Sequence, residues 1–225
     1  MSGQMAVFPG QGREWSGYLS VGPDGGPGVI LIQEWWGLVG HIKHVADRLA
    51  SEGFTVLAPD FYDGQSTEEP DEAGSLMMAL NVDEAAQLIL SSVEFLKEQE
   101  STQGKGVGVI GFCMGGQLAL FAACLSGDIK ACVNFYGIHP KVQPDLGSLQ
   151  APLLGLFAEH DNYASPTTVA ELSAKLTELG KPHDFKTYVG VHHAFFNDQR
   201  PSVYNEEAAS DAWSRVLSHL RANLG

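Results

Sequence analysis

The chain has 225 residues, 44% of them hydrophobic and 18% charged, with a formal net charge of −14 at pH 7. That length and composition suit one globular domain with a sizeable core, spanning residues 1–225. The acidic balance leaves no basic stripe to displace counterions from nucleic acid and disfavours anionic membrane surfaces.

Residues 1–26 are Gly-rich and polar, with short strands expected at 6–8 and 17–21, and they read as an antiparallel edge ahead of the main unit. An apolar β-branched run over 27–33 predicts a buried strand that leads into Glu34-Trp35-Trp36-Gly37 and a helix over 41–51, closed by Gly53. A strand at 54–59 precedes an acidic connection, 60–81, that contains no Lys or Arg and holds a short helix at 75–80. The periodicity of 83–96 predicts a long helix with Ala86, Leu90, Val93 and Leu96 or Phe95 on its apolar face. Further strands are expected at 106–110, 131–136, 152–157 and 184–189, and helices at 117–125, 167–179 (capped by Gly180) and 206–223. Residues 139–149, with prolines at 140 and 144, read as a loop. Strands alternating with helices imply an α/β fold: a mostly parallel central sheet covered on both faces, with any ligand site at the carboxyl ends of its strands.

Between the strand at 106–110 and the helix at 117–125 stands Gly111-Phe112-Cys113-Met114-Gly115-Gly116. A sharp strand-to-helix turn on Gly-x-Cys-x-Gly resembles the nucleophile elbow of α/β-hydrolases, with a thiol in place of the usual hydroxyl. The glycines permit close packing around the turn. The helix N-terminus beside Cys113 favours negative charge. Such a nucleophile needs a base and a group to orient that base. Asp161 follows the strand at 152–157, and His192 and His193 follow the strand at 184–189, in the chain order nucleophile, acid, histidine. Glu159 is an alternative orienter and His192 an alternative base, while His160 reads as a neighbouring residue.

These stretches, with Gln33-Glu34-Trp35-Trp36-Gly37, Ala58-Pro59-Asp60 and Tyr188-Val189-Gly190-Val191-His192-His193-Ala194-Phe195, resemble the dienelactone hydrolase (carboxymethylenebutenolidase) family of the α/β-hydrolase superfamily. The resemblance implies hydrolysis of a lactone or small carboxylic ester through a thioacyl-enzyme. Cys113 would be the nucleophile, His193 the base and acid, and Asp161 its orienter. The fold places two oxyanion donors, the backbone N–H groups of Trp35 and Met114. Glu34, a carboxylate at the end of a buried strand, is implied to modulate the Cys113 thiol. Trp35, Trp36, Tyr136 and Phe195 suggest an aromatic substrate site. Arg200 is a fixed cation near it, and Lys141 is a second position from which a cation could reach. Some relatives grip a substrate carboxylate with two arginines, and one of those positions has no counterpart within 60–81.

A general aryl esterase or thioesterase on the same residues is the near alternative. A thiol redox sensor built on Cys113 is the alternative from another class, although neither Cys124 nor Cys132 is spaced to resolve it. A binding module without catalysis is disfavoured because all three reacting side chains are present. No metal-ligand or dinucleotide motif occurs, so no cofactor is expected. The three cysteines lack C-x-x-C spacing and predict free thiols in a reducing compartment. No signal peptide or membrane-spanning run of ~20 residues is visible, so the expectation is a cytoplasmic monomer or small homo-oligomer acting on small molecules.

Overall fold

The computed structural model describes residues 2–102, 104–137 and 139–225. Its elements in chain order are β1 (Gln4–Gly10), β2 (Arg13–Val21), β3 (Gly28–Ile32), α1 (Gly40–Ser51), β4 (Thr55–Pro59), α2 (Pro70–Ala79), α3 (Val82–Glu98), β5 (Val107–Phe112), α4 (Met114–Leu125), β6 (Ile129–Phe135), β7 (Leu153–His160), α5 (Pro166–Glu178), β8 (His183–His192) and α6 (Glu206–Leu224). All strands join one sheet in the order β1-β2-β4-β3-β5-β6-β7-β8. β1 and β2 pair antiparallel, as do β2 and β4, while β4 through β8 run parallel. This is the α/β-hydrolase architecture, with the expected antiparallel N-terminal edge.

Strand periodicity divides the core. Val29 and Leu31 of β3 face the cluster containing α1 and α6, while Ile30 and Ile32 face the one containing α3 and α4. Both faces of the central strands are therefore apolar, which explains their unbroken hydrophobic runs. Among the described residues no single helix is long and apolar enough to cross a membrane.

Three expectations need correction. The buried face of α3 is Ala85, Leu88, Ile89, Ser92, Val93 and Leu96, whereas Ala86, Leu90 and Phe95 are only half-buried. Ser91 and Ser92 concealed that face in the sequence. Their hydroxyls donate to the carbonyls of Gln87 and Leu88 at 2.8 and 2.7 Å, and so can be buried. Helix α2 begins five residues earlier than expected, with Pro70 in its first turn and Asp71 and Glu72 near its positive end. β7 and β8 run beyond their predicted ends to His160 and His192, across an irregularity between Ala158 and His160.

The turn from β5 into α4 depends on missing side chains. A Cβ on Gly111 would stand 1.8 Å from the Gly115 carbonyl oxygen, and one on Gly115 would stand 2.4 Å from that of Gln33. Both neighbours are backbone and cannot rotate away. Gly111→Ala should therefore cost about 3 kcal/mol or more in urea unfolding, at the top of the range for overpacking. Gly40→Ala, whose nearest non-local atom is a Gln199 side-chain oxygen at 3.8 Å, should stay within about 1 kcal/mol of wild type. Wild-type stability in Gly111→Ala would contradict the close approach.

Candidate active site

Five strand ends deliver the site. Glu34 and Trp35 follow β3, Cys113 follows β5, Tyr136 follows β6, Asp161 follows β7 and His193 follows β8. Cys113 is the N-cap of α4, with φ 55° and ψ −122°. Five non-glycine residues among those described have positive φ, and three of them, Cys113, Tyr136 and Ala194, belong to this group. Such conformations cost of order 1–3 kcal/mol each, so their concentration here points to a function. Cys113 is half-buried, and its N–H is held by the Phe135 carbonyl at 3.0 Å. Met114 opens α4, so its N–H has no carbonyl one turn back to receive it.

His193 donates from Nδ1 to Asp161 Oδ2 at 2.7 Å. The other Asp161 oxygen accepts the N–H groups of Tyr163 and Ala164 at 2.7 and 3.0 Å. The carboxylate is thereby locked in place, and the imidazole is left with Nε2 for Cys113. Burial pulls the pKa of His193 down. Its hydrogen bonds to Asp161 and Cys113, together with their negative charge, outweigh burial and push it up to about 10. His193, not His192, makes the contact with Asp161. Glu159 is engaged elsewhere, accepting the Gly190 N–H at 2.8 Å.

Glu34 is 1% exposed, and one of its oxygens accepts Asn197 Nδ2 at 2.9 Å. Asn197 itself is buried and is held in a turn by its N–H bond to the Ala194 carbonyl. Sequence reasoning did not assign Asn197. The available signal was an amide four residues beyond His193, able to approach a buried acid.

A cavity of about 580 Å³ gathers Cys113, His193 and Glu34 with Trp35, Trp36 and Arg200. Two of the expected substrate contacts lie elsewhere. Tyr136 and Phe195 are fully buried and do not line this cavity. Tyr136 packs its ring 4.8 Å from the His193 ring, and Phe195 packs 5.4 Å from Tyr136, so the two support the histidine from behind. The Met114 side chain is also turned inward, its sulfur accepting the Tyr62 hydroxyl at 3.1 Å. The wall takes instead Met77, Pro140, His160, Asn162, Tyr163, His192 and Val203. The extended ends of β7 and β8 bring His160 and His192 there. The Arg200 guanidinium lies 5.2 Å above the Trp36 ring. Lys141 is absent from the lining and donates to the Met78 carbonyl at the end of α2. Cys113, Cys124 and Cys132 are all free thiols.

The sheet order and the strained strand-to-helix elbow define an α/β-hydrolase. The family model described as "Dienelactone hydrolase family" matches residues 16–224, and the chain belongs to that family: it is a hydrolase acting on ester or lactone bonds. It is 39% identical to "Protein usf" of Aquifex pyrophilus, over 99% of each chain. It is 36% identical to a protein of Aquifex aeolicus provisionally named a carboxymethylenebutenolidase, again over 99% of each. A solved structure from Klebsiella pneumoniae, provisionally named a dienelactone hydrolase, superposes with a TM-score of 0.82 at 28% identity, covering 97% of this chain and 98% of that one.

The raised pKa of His193 has a consequence for stability. A histidine that titrates near 6.5 when unfolded and about 10 when folded holds its proton more tightly in the native state. Its stabilisation is complete below the unfolded value and is lost as pH rises through the folded one. Urea midpoints should therefore fall between pH 6.5 and 10, and His193→Gln should flatten that fall. An equally steep decline in the variant would assign the effect to other groups.

Proposed function

We propose that the chain hydrolyses a lactone or small carboxylic ester through Cys113, His193 and Asp161, by way of a thioacyl-enzyme. The observation that carries this reading is the 2.7 Å His193–Asp161 bond beside a strained cysteine at a helix N-terminus, in the cavity that both Cys113 and His193 line.

The chemistry follows from these positions. His193, its pKa raised, holds a proton on Nε2 beside the sulfur as Cys113 Sγ attacks the substrate carbonyl. Charge develops on the carbonyl oxygen, which the N–H groups of Met114 and Trp35 receive; one such donor typically contributes ~3 kcal/mol at the transition state. Collapse breaks the bond to the ring or ester oxygen, which leaves with the proton from His193 Nε2. A water activated by the same nitrogen then attacks the thioacyl carbon, releasing the acid and restoring the thiol. Asp161 keeps Nδ1 protonated throughout and stabilises the imidazolium. No step calls for a cofactor.

Trp35 and Trp36 offer the substrate an apolar wall, and Arg200 sits at the rim. An exposed ion pair there contributes only ~0–1 kcal/mol, so neutral lactones and aryl esters should suffice as substrates at neutral pH.

Cys113→Ala and His193→Ala should each reduce hydrolysis of p-nitrophenyl acetate by about a thousandfold or more, and Asp161→Asn by a comparable factor, without loss of fold. Because the three act together, double variants should lose little beyond the worst single variant. Full turnover in Cys113→Ala would refute the assignment.

Glu34 restrains Cys113 in the resting enzyme in this reading, since both line the same cavity. Glu34→Gln should speed alkylation of Cys113 by iodoacetamide in the free enzyme and alter turnover. If alkylation is unchanged and only the unfolding temperature falls, Glu34 is a structural acid held by Asn197.

A further inference from the structure

The cavity has a wall that the hydrolytic chemistry does not use. His160 and His192 are partners in the parallel register of β7 and β8, so their side chains emerge on the same face of the sheet, with ring centroids 5.1 Å apart. Both are exposed, and both line the cavity that holds Cys113. With Asn162 they also line an outer cleft of about 660 Å³, so the pair stands between the reacting sulfur and a second open space.

The direction in which a substrate extends follows from the proton transfer. Nδ1 of His193 is committed to Asp161, so the departing oxygen must collect its proton at Nε2. The rest of the alcohol half then lies over whatever surrounds that ring. Tyr163, 5.3 Å from His193 by ring centroids, is one neighbour, and His192 and His160 lie beside it on the same wall. Arg200 lies over the Trp36 ring instead.

We propose that His160 and His192 form a leaving-group subsite that selects esters whose alcohol half carries an anionic group, with a preference that strengthens in mildly acid solution. The proposal rests on the Cys113–His193 reading for the direction of the substrate. Imidazole is the side chain that gains its charge between neutral and mildly acid pH. Glu159 lies 3.9 Å from His160 Nε2, and its carboxylate is held by the Gly190 N–H. Both Asp161 oxygens are occupied, by His193 and by the N–H groups of Tyr163 and Ala164. Glu34, Cys113 and Arg200 face the same cavity from other strand ends, and Tyr163 adds a phenol. The net charge of −14 repels anions at long range, but screening confines that repulsion to about 10 Å, so the imidazoles decide the outcome at contact.

The test compares kcat/KM for 3-carboxyphenyl acetate and 3-carbamoylphenyl acetate, which share shape and acyl group and differ in charge. Titration of His193 affects both esters alike and cancels in the ratio. In the wild-type enzyme the ratio of anionic to neutral ester should rise about fivefold between about pH 8 and about pH 5.5. The rise should vanish in His160→Gln/His192→Gln. In His160→Arg, where the charge is permanent, the ratio should be raised already at the higher pH. A ratio that ignores pH in the wild type, or a rise that survives in the double glutamine variant, would overturn the proposal. A second measurement needs no turnover: 3-hydroxybenzoate should bind Cys113→Ala more tightly at the lower pH by a similar factor, and His160→Gln in that background should remove the gain. PH-dependent binding without hydrolysis of either ester would uphold the subsite and refute the Cys113 mechanism. Binding that is equal at the two pH values would refute the subsite whatever the enzyme hydrolyses.

Discussion

The structure depends on one close approach of backbone to backbone. At the end of β5 the chain reverses into α4 so tightly that the Gly111 Cα faces the Gly115 carbonyl, and Gly115 faces the carbonyls of Ile32 and Gln33 on the neighbouring strand. Helix α4 can then lie directly on β3 and β5. The residue at the apex must absorb the reversal, and Cys113 does so at φ 55°. The strain is supported by the Phe135 carbonyl on its N–H and by a core in which Phe112 stacks on Phe135 and Phe196 at 4.5 and 5.3 Å. A sulfur placed this way cannot withdraw into the core without dismantling the elbow. The fold itself therefore keeps the thiol at the cavity surface.

The fold was legible because its physics is local. β-branched runs bounded by glycine and proline announced the parallel strands, and two glycines flanking Cys113 announced the turn. Asp161 and His193 could be paired at a distance because both stand just past a strand of the same parallel sheet, which brings strand ends to one edge. Legibility failed where pairing or burial is settled by partners distant in sequence. The extensions of β7 and β8 exist because each strand supports the other past the irregularity at Ala158 and His160. A single strand read alone gives no sign of this. Ser91 and Ser92 defeated the reading of α3, since a serine that bonds back to its own helix behaves as a buried residue. Aromatic type did not reveal depth either: Trp35 and Trp36 face the cavity, whereas Tyr136 and Phe195 are walled in behind His193.

The segment after β8 shows how few residues convert that sheet edge into a site. Ala194, at φ 65°, turns the chain back immediately after His193. Asn197 can then reach Glu34, and Arg200 can lie over Trp36. Asn205 closes the segment by donating its N–H to the Phe195 carbonyl at 3.0 Å, and its side chain caps α6. The same short stretch thus sets the histidine, satisfies the buried acid and furnishes the rim cation. Its backbone bonds make these three placements interdependent.

The electrostatics of the site follow from that arrangement. Glu34, Asp161 and Cys113 are three acidic groups gathered around the buried Tyr136 phenol, which itself packs on the His193 ring. A buried carboxylate is tolerable only with donors in place, and here the two carboxylates are treated differently. Asp161 accepts two backbone N–H groups in addition to His193, so both of its oxygens have donors. Glu34 has a neutral amide from Asn197 and no adjacent guanidinium or ammonium among its hydrogen bonds in the described residues. The Glu34 carboxylate is therefore less completely answered than that of Asp161. A neutral carbonyl arriving above Cys113 meets this field as a dipole. In the proposed mechanism its developing oxyanion would be received by the N–H groups of Trp35 and Met114. In the proposed mechanism the asymmetry between the two acids, one bonded by His193 and two N–H groups and one by a single amide, separates orienting the base from restraining the nucleophile.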